Sequence, residues 1–320
     1  MNFKMLARVM RFPNLLIIFL TQLLCWYCLI RPLTLFSEQP LFLSGSRALL
    51  LALATTLIAG AGYIINDYFD VRIDTINRPD KSLIGKDINP KEAIVLHTVC
   101  NAVGLSIFAY LAYLMRQPMA MTIPVICTIL LWFYSTHFKR QFVIGNVVVS
   151  LLTALSILIL PAFEPTANSI ATSPFLVNVQ GKLYLSPLWA LLVYSGFAFL
   201  LNWIREVVKD LEDFKGDAAD GCITMPIKIG MAATHKFIKV LLALTLIILI
   251  LASIALINKG WWLPALYICG LIISPLVWIM LRLDRSTQST HYARLSKLLK
   301  WIMVAGIATL ILLYLYQYHS

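Results

Sequence analysis

Two short segments of the sequence hold most of its carboxylates, and each follows directly on a long apolar run. The first segment reads Asn66-Asp67-Tyr68-Phe69-Asp70-Val71-Arg72-Ile73-Asp74. On a continuing helix, Asn66, Asp70 and Asp74 recur every four residues and share one face, with Asp67 beside them. Three like charges within two turns repel one another unless a positive group compensates them. The segment is therefore either a solvated loop just outside a membrane or part of a cation site.

A second segment far downstream repeats this pattern. It reads Arg205-Glu206-Val207-Val208-Lys209-Asp210-Leu211-Glu212-Asp213-Phe214-Lys215-Gly216-Asp217. The carboxylates that fall on one helical stripe here are those of Glu206, Asp210, Asp213 and Asp217. Of the 15 acidic residues in the chain, 12 lie within 66–92 and 205–220, whereas solvated loops would spread them more evenly. Two facing carboxylate stripes at a membrane surface favour a hard divalent cation, Mg²⁺, bound together with a substrate phosphate.

Both segments resemble the aspartate-rich motifs of the UbiA superfamily of intramembrane prenyltransferases. The first match is Asn-Asp-x-x-Asp-x-x-x-Asp from Asn66, followed by Asn77-Arg78-Pro79-Asp80-Lys81. The second is Lys209-Asp210-x-x-Asp213-x-x-Gly216-Asp217, followed by Thr224-Met225-Pro226-Ile227-x-x-Gly230. The residues of the two motifs are most similar to those of the archaeal-type digeranylgeranylglyceryl phosphate synthase branch. The resemblance predicts a single polytopic enzyme domain over 1–320.

The resemblance implies Mg²⁺-dependent transfer of a prenyl group from a polyprenyl diphosphate to a lipophilic acceptor. Metal or metal-water ligands are expected at Asn66, Asp70, Asp74, Asp210, Asp213 and Asp217. Substrate contacts are expected from Arg11, Asn14, Arg78, Lys81, Lys139 and Arg140. Catalytic roles are expected for Asp67, Asp70, Lys139 and Asp213, with Asp67 as a candidate base. Arg11 and Asn14 also fit an interfacial anchor, and Lys139 and Arg140 also fit a topology signal.

The chemistry explains why these residue types are needed together. A prenyl diphosphate reacts by losing its diphosphate and leaving an allylic cation, so negative charge accumulates on the leaving group. Mg²⁺ backed by Lys or Arg stabilises that charge, and an apolar interior keeps water from the cation. The expected acceptor is a prenylglyceryl phosphate, whose own phosphate would use Arg8, Arg11 or Arg140. The alternative is an aromatic acceptor of quinone biosynthesis, of the 4-hydroxybenzoate or naphthoate type.

Composition places both motifs in a membrane protein. Hydrophobic residues make up 60% of the chain and charged residues only 13%, whereas about a quarter of the residues in a soluble domain are charged. The net charge of +11 does not indicate a nucleic-acid partner, because the basic residues are dispersed among apolar runs. The six cysteines lie mostly inside these runs and are expected to be buried small hydrophobes.

Nine apolar runs have the length that a bilayer requires. They lie at about 13–30, 47–65, 92–115, 118–135, 142–163, 186–204, 235–257, 261–281 and 298–318. If the N-terminus is cytoplasmic, 21 of the 26 Lys and Arg residues lie inside, as the positive-inside rule requires. The prediction is an all-α bundle of nine helices of UbiA type in a bacterial or archaeal plasma membrane. Its central cavity and both motifs would face the cytoplasm, with 164–185 a connector and 282–297 a solvated turn.

Two other protein classes use clustered carboxylates in membranes. A CDP-alcohol phosphotransferase requires Asp-Gly-x-x-Ala-Arg in a single block, but here Asp220-Gly221 is followed by Cys222-Ile223-Thr224-Met225. A cation-coupled transporter should carry its carboxylates near mid-span, whereas these lie at helix ends. The prenyltransferase prediction therefore fits the positions of the carboxylates better than either rival.

Overall fold

The protein is a helical membrane protein, as its apolar runs predict. The computed structural model describes residues 3–35, 40–77, 83–166, 176–179, 182–285 and 287–318. Within these residues, nine helices are long and apolar enough to cross a membrane. The prediction of nine spans is therefore confirmed, and the chain is an integral membrane protein.

The helices follow one another with short connections. Helices α1 to α7 are Phe3–Val9, Phe12–Cys25, Gly45–Phe69, Val71–Asn77, Pro90–Met115, Thr122–Thr136 and Ile144–Ala162. Helices α8 to α14 are Pro187–Glu212, Phe214–Ala219, Met225–Ile229, Met231–Asn258, Trp262–Ile268, Ser274–Arg282 and Ser289–Tyr318. Two π-helical turns, Trp26–Ile30 and Cys269–Ile273, extend α2 and join α12 to α13. Short 3₁₀ turns occur at Arg31–Leu35, Pro118–Met121, Phe138–Arg140 and Leu283–Arg285.

A small hairpin interrupts the helical pattern between α7 and α8. Strand β1, Leu176–Val179, pairs antiparallel with β2, Lys182–Leu185, so that Leu176 lies opposite Leu185. The sequence analysis treated this stretch only as a connector. The hairpin is a local addition and leaves the all-helical membrane architecture intact.

Two compact units make up the fold. One contains Met1–Lys139 and Leu152–Ser195, and the other contains Arg140–Leu151 and Gly196–Ser320. The first motif belongs to the first unit and the second motif to the second unit. The single enzyme domain over 1–320 stays a prediction.

In the first unit, α3 packs closely against α2, α5 and α6. A Cβ atom added at Gly62 would lie 2.7 Å from Leu131 Cδ2, and one at Gly104 would lie 3.1 Å from the carbonyl oxygen of Ala54. These helices therefore approach closely at two glycines, where an added Cβ would displace the Leu131 side chain or press on the Ala54 carbonyl. This close packing holds the end of α3 against its neighbours.

Another contact of the first unit involves a carboxylate that the sequence analysis did not consider. Glu164 is completely buried. It accepts hydrogen bonds from the backbone N–H groups of Leu43 (2.9 Å), Phe42 (3.2 Å) and Thr166 (3.3 Å). Three donors compensate the burial of this charge. The carboxylate thus fastens the segment before α3 to the end of α7.

In the second unit, α14 begins earlier than the sequence analysis predicted. Tyr292, Leu295, Leu299 and Ile302 are buried at three- and four-residue spacing, which is the pattern of an amphipathic helix. They belong to a core with apolar residues of α8, α11 and α13. The solvated turn expected over 282–297 is therefore wrong from position 289 onwards, because the polar residues there lie on the other face of a helix.

Candidate active site

Each motif lies at a junction between a spanning helix and a short helix. Helix α3 gives way to α4, and α8 gives way to α9, with one aspartate between them in both cases. Asp70 has φ −90° and ψ 2°, and Asp213 has φ −93° and ψ 5°. This backbone region is sparsely populated and is common among active-site residues. The single continuing helix expected through each motif is thus interrupted at its central aspartate.

Backbone hydrogen bonds of helical spacing nevertheless continue across each junction. The N–H of Asp74 donates to the carbonyl of Asp70 at 2.8 Å, and the N–H of Asp217 donates to that of Asp213 at 3.1 Å. Both motifs also share the spacing Asp-x-x-Asp-x-x-x-Asp. Its members are Asp67, Asp70 and Asp74 in the first motif and Asp210, Asp213 and Asp217 in the second. The same local backbone therefore positions three carboxylates in each unit.

The first motif is compensated by two cations from distant parts of the chain. Asp70 is 5% exposed, and its Oδ2 is in contact with the Lys139 amine and accepts from Asn66 Nδ2 at 2.7 Å. Arg11 Nη2 lies 2.5 Å from Asp67 Oδ1. Five residues that the sequence analysis selected thus form two bonded groups in one unit.

Asp74 lies one helical turn beyond Asp70 and is half-buried. Burial, followed by the neighbouring carboxylates of Asp70 and Asp67, raises its pKa above the ordinary value for an aspartate. A negative charge on Asp74 is therefore costly in the protein alone. A bound cation would relieve this cost.

The first motif offers oxygen ligands that fit Mg²⁺. Asn66 Oδ1 is buried and has no hydrogen-bond partner among the described residues, although its Nδ2 bonds to Asp70. No three His, Cys, Asp or Glu side chains converge in a metal-binding group within the described parts of the chain. Mg²⁺ commonly uses only one or two carboxylates and completes its shell with water and substrate phosphate. The donor set fits such an open site rather than a closed protein cage.

The second motif is held by an amide. Asn146 Nδ2 donates to Asp210 Oδ2 at 3.0 Å, and its own backbone carbonyl accepts from Ser150 Oγ at 2.6 Å. Asp217 is buried, with 6% of its surface exposed. Asn146 was not among the predicted site residues. This amide fixes one oxygen of Asp210 without neutralising its charge.

Two further groups of ion pairs flank the second motif. Arg140 Nη2 lies 3.0 Å from Asp220 Oδ2, so this predicted substrate contact already has a carboxylate partner. Glu206 is paired with Arg205 at 2.7 Å and with Lys209 at 2.9 Å. Asp220 was not among the predicted site residues, and no local spacing signal identifies Arg140 as its partner. Glu206, which shares the helical stripe with the predicted ligands, is thus held by two cations of its own helix.

Three predicted substrate contacts remain, and the structure describes one of them. Asn14 lies in the first turn of α2 and is half-buried, and its backbone N–H donates to the carbonyl of Arg11 at 2.7 Å. Arg78 and Lys81 lie outside the described residues, so their roles stay predictions. Sequence reasoning therefore selected the residues that are gathered at Asp67 and Asp70, but it missed that the cations pair with these carboxylates.

Known proteins similar to this chain identify its family. The model of the UbiA prenyltransferase family matches residues 24–304. The digeranylgeranylglyceryl phosphate synthase of Methanothermobacter thermautotrophicus is 30% identical over 262 residues, which cover 79% of each chain. The synthase of that name from Sulfurisphaera tokodaii is 28% identical over 269 residues, covering 83% of this chain and 84% of the relative.

Solved structures show the same fold. A structure described as digeranylgeranylglyceryl phosphate synthase aligns with a TM-score of 0.63 and 22% identity, covering 96% of this chain and 98% of the other. A UbiA homologue from Archaeoglobus fulgidus bound to GPP and Mg²⁺ aligns with a TM-score of 0.56 and 16% identity, over 96% and 99% of the two chains. The family match covers most of the chain and includes both motifs. The chain therefore belongs to the UbiA prenyltransferase family and is a prenyltransferase.

Proposed function

We propose that this protein transfers a prenyl group from a polyprenyl diphosphate to the hydroxyl of a prenylglyceryl phosphate, in a Mg²⁺-dependent reaction that yields an ether lipid. The observation that carries this proposal is the cluster at Asp70. There a buried carboxylate and a cation meet the amide oxygen of Asn66 at the end of a spanning helix, and this oxygen has no hydrogen-bond partner in the described part of the chain. These are the groups that recognise a metal ion together with a diphosphate.

The reaction breaks the bond between the allylic carbon and the diphosphate oxygen and forms an ether bond to the acceptor oxygen. When bound, Mg²⁺ would supply electrostatic stabilisation of the leaving diphosphate. Its proposed ligands are Asn66, Asp70, Asp74, Asp210, Asp213 and Asp217. Lys139, with Arg78 and Lys81, would bind the diphosphate oxygens and stabilise the charge they acquire.

The acceptor hydroxyl loses its proton as the ether bond forms. Asp67 is our candidate base for this proton. Arg11 contacts Oδ1 of Asp67, and no hydrogen bond to its Oδ2 occurs among the described residues. Oδ2 is thus the atom that would accept the proton while Arg11 holds the carboxylate in place.

The choice of acceptor is supported by the relatives. The relatives from M. thermautotrophicus and S. tokodaii are named digeranylgeranylglyceryl phosphate synthases. The residues of the second motif also resemble those of that branch. Such an acceptor carries a phosphate of its own. Exposed Arg8, near the start of the chain, and Arg140 are the cations that we assign to this second anion.

The reaction would take place at the cytoplasmic surface. Both motifs follow spanning helices, at the ends that the distribution of Lys and Arg assigns to the cytoplasm. Mg²⁺ and phosphorylated metabolites are available on that side. The N-terminus would then be cytoplasmic as well.

A direct assay tests the proposal. Purified protein in lipid nanodiscs is incubated with Mg²⁺, radiolabelled polyprenyl diphosphates of several lengths and a panel of acceptors. The panel contains a prenylglyceryl phosphate, 4-hydroxybenzoate and a naphthoate. We expect labelled ether lipid only with the glyceryl phosphate, and no product in EDTA. Ready alkylation of an aromatic acid, with no product from the glyceryl phosphate, would contradict the proposed acceptor but not the prenyl transfer.

A further inference from the structure

Lys139 is bonded to the carboxylate that the proposed function assigns to a metal ion. Its amine contacts Asp70 Oδ2, and the side chain of Lys139 is 27% exposed while that of Asp70 is 7% exposed. The proposed function also needs this amine for the substrate diphosphate. Lys139 therefore has two candidate anionic partners, Asp70 and the substrate diphosphate. In the structure its amine is bonded to Asp70.

A metal ion and this amine would compete at the first motif. Among the described residues, Arg11 contacts Asp67 and Lys139 contacts Asp70, and Asp74 lies one helical turn further along. An ammonium group at hydrogen-bond distance from Asp70 places one positive charge within a few ångströms of any cation bound there. Like charges at such a distance, beside a buried group, repel strongly. Metal binding is therefore weakened for as long as Lys139 stays on Asp70.

A diphosphate changes this balance because it offers the amine another anion. Lys139 is the more exposed member of the pair and lies in the short turn Phe138–Arg140, and its long flexible side chain can turn from one anion to another. Moving the amine from Asp70 to a phosphate oxygen keeps it charge-paired and frees Oδ2 for the metal.

We propose that Lys139 is an exchangeable counter-cation of Asp70, so that a divalent metal ion binds the first motif tightly only together with a diphosphate. This inference rests on the proposed function and adds a binding order to it. Metal and diphosphate then bind with positive cooperativity, and each strengthens the other by the same factor, as linkage requires. The enzyme would thereby avoid a tightly held metal ion when substrate is absent.

Equilibrium binding of Mn²⁺ tests this inference without an activity assay. Mn²⁺ takes the same oxygen ligands as Mg²⁺ and is counted directly by electron paramagnetic resonance. For the full-length protein in nanodiscs, the Kd of Mn²⁺ is measured with and without inorganic diphosphate. We expect diphosphate to tighten Mn²⁺ binding about tenfold or more in the natural protein. In Lys139→Met, Mn²⁺ alone should bind about tenfold more tightly, and the effect of diphosphate should largely disappear.

Two variants keep the test interpretable. Lys139→Arg retains the positive charge and should keep Mn²⁺ binding weak in the absence of diphosphate. Lys91→Met removes an exposed lysine at the start of α5 and should change neither Kd. Thermal unfolding in EDTA shows whether Lys139→Met is folded. If Mn²⁺ alone raises the melting temperature of Lys139→Met more than that of the natural protein, this supports the inference.

The outcomes separate this inference from the function on which it rests. If the natural protein transfers prenyl groups but Lys139→Met binds Mn²⁺ no more tightly than the natural protein does, the exchange is wrong and the function stands. If the natural protein neither transfers prenyl groups nor binds diphosphate with Mn²⁺, the proposed function itself fails.

Discussion

Replacing Asp70 by asparagine should separate catalysis from folding. Asparagine has nearly the shape of aspartate and keeps a carbonyl oxygen for Asn66 Nδ2, which now donates to Asp70 at 2.7 Å. The Lys139 amine loses an anionic partner, but its side chain is 27% exposed and can be solvated. We therefore expect the free energy of unfolding to change by about 1 kcal/mol or less. The loss of a charged metal ligand should instead remove about 4 kcal/mol of transition-state stabilisation, or about a thousandfold in kcat/KM.

The assay compares Asp70→Asn with Asp87→Asn under the same conditions. Asp87 is exposed, and the change removes the same charge outside the site. Initial rates of prenyl transfer are measured with saturating Mg²⁺, and thermal unfolding is followed for both proteins. The control should retain the full rate. A rate for Asp70→Asn within tenfold of the natural protein would refute a role for this carboxylate in catalysis.

Three further predictions concern stability and are checked by thermal unfolding in detergent. Glu164→Ala leaves three backbone N–H groups without their acceptor and should destabilise the protein by about 3 kcal/mol, so an unchanged melting temperature would contradict the anchoring role. Gly104→Val should cost about 1–3 kcal/mol because its Cβ would press on the Ala54 carbonyl, while Gly306→Ala, with no atom within 4 Å of the new Cβ, should be nearly neutral. The raised pKa of Asp74 means that the folded state binds this proton more tightly than the unfolded chain. Metal-free protein should therefore gain stability as the pH falls through that pKa. The variant Asp74→Asn should be more stable than the natural protein at neutral pH and should not show this gain as the pH falls.

The spanning helices could be predicted because bilayer thickness sets their length and the backbone must be hydrogen-bonded internally. The start of α14 could not be predicted in the same way. Its first residues are polar on one face, so that a search for apolar runs finds only the part from 298 onwards. The buried positions at Tyr292 and Leu295 carry the helical period, but two positions within a polar stretch are a weak signal.

The residue types of the site could be predicted, whereas their partners could not. Arg11 bonds to Asp67 across 56 positions, and Lys139 bonds to Asp70 across 69. No local period links residues that are so far apart, since tertiary packing decides which cation reaches which carboxylate. Asp220 was missed for the same reason, because its importance lies in its contact with Arg140.

Three of the cations assigned to anionic substrates by residue type, Arg11, Lys139 and Arg140, have carboxylate partners in the structure. An unpaired charge near a bilayer is expensive, so a site that must bind an anion needs a counter-ion while it is empty. Pairing in the protein alone is therefore what a phosphate-binding cation should show, and it does not argue against such a role. The exposed fraction of each side chain indicates how readily the cation can exchange its partner. Arg140 is 47% exposed, against 34% for Arg11 and 27% for Lys139, although its partner Asp220 is buried. Arg140 therefore gives up the least packing if it turns to the phosphate of an acceptor, whereas Arg11 also lies over the ring of Tyr63 and is held in place beside Asp67.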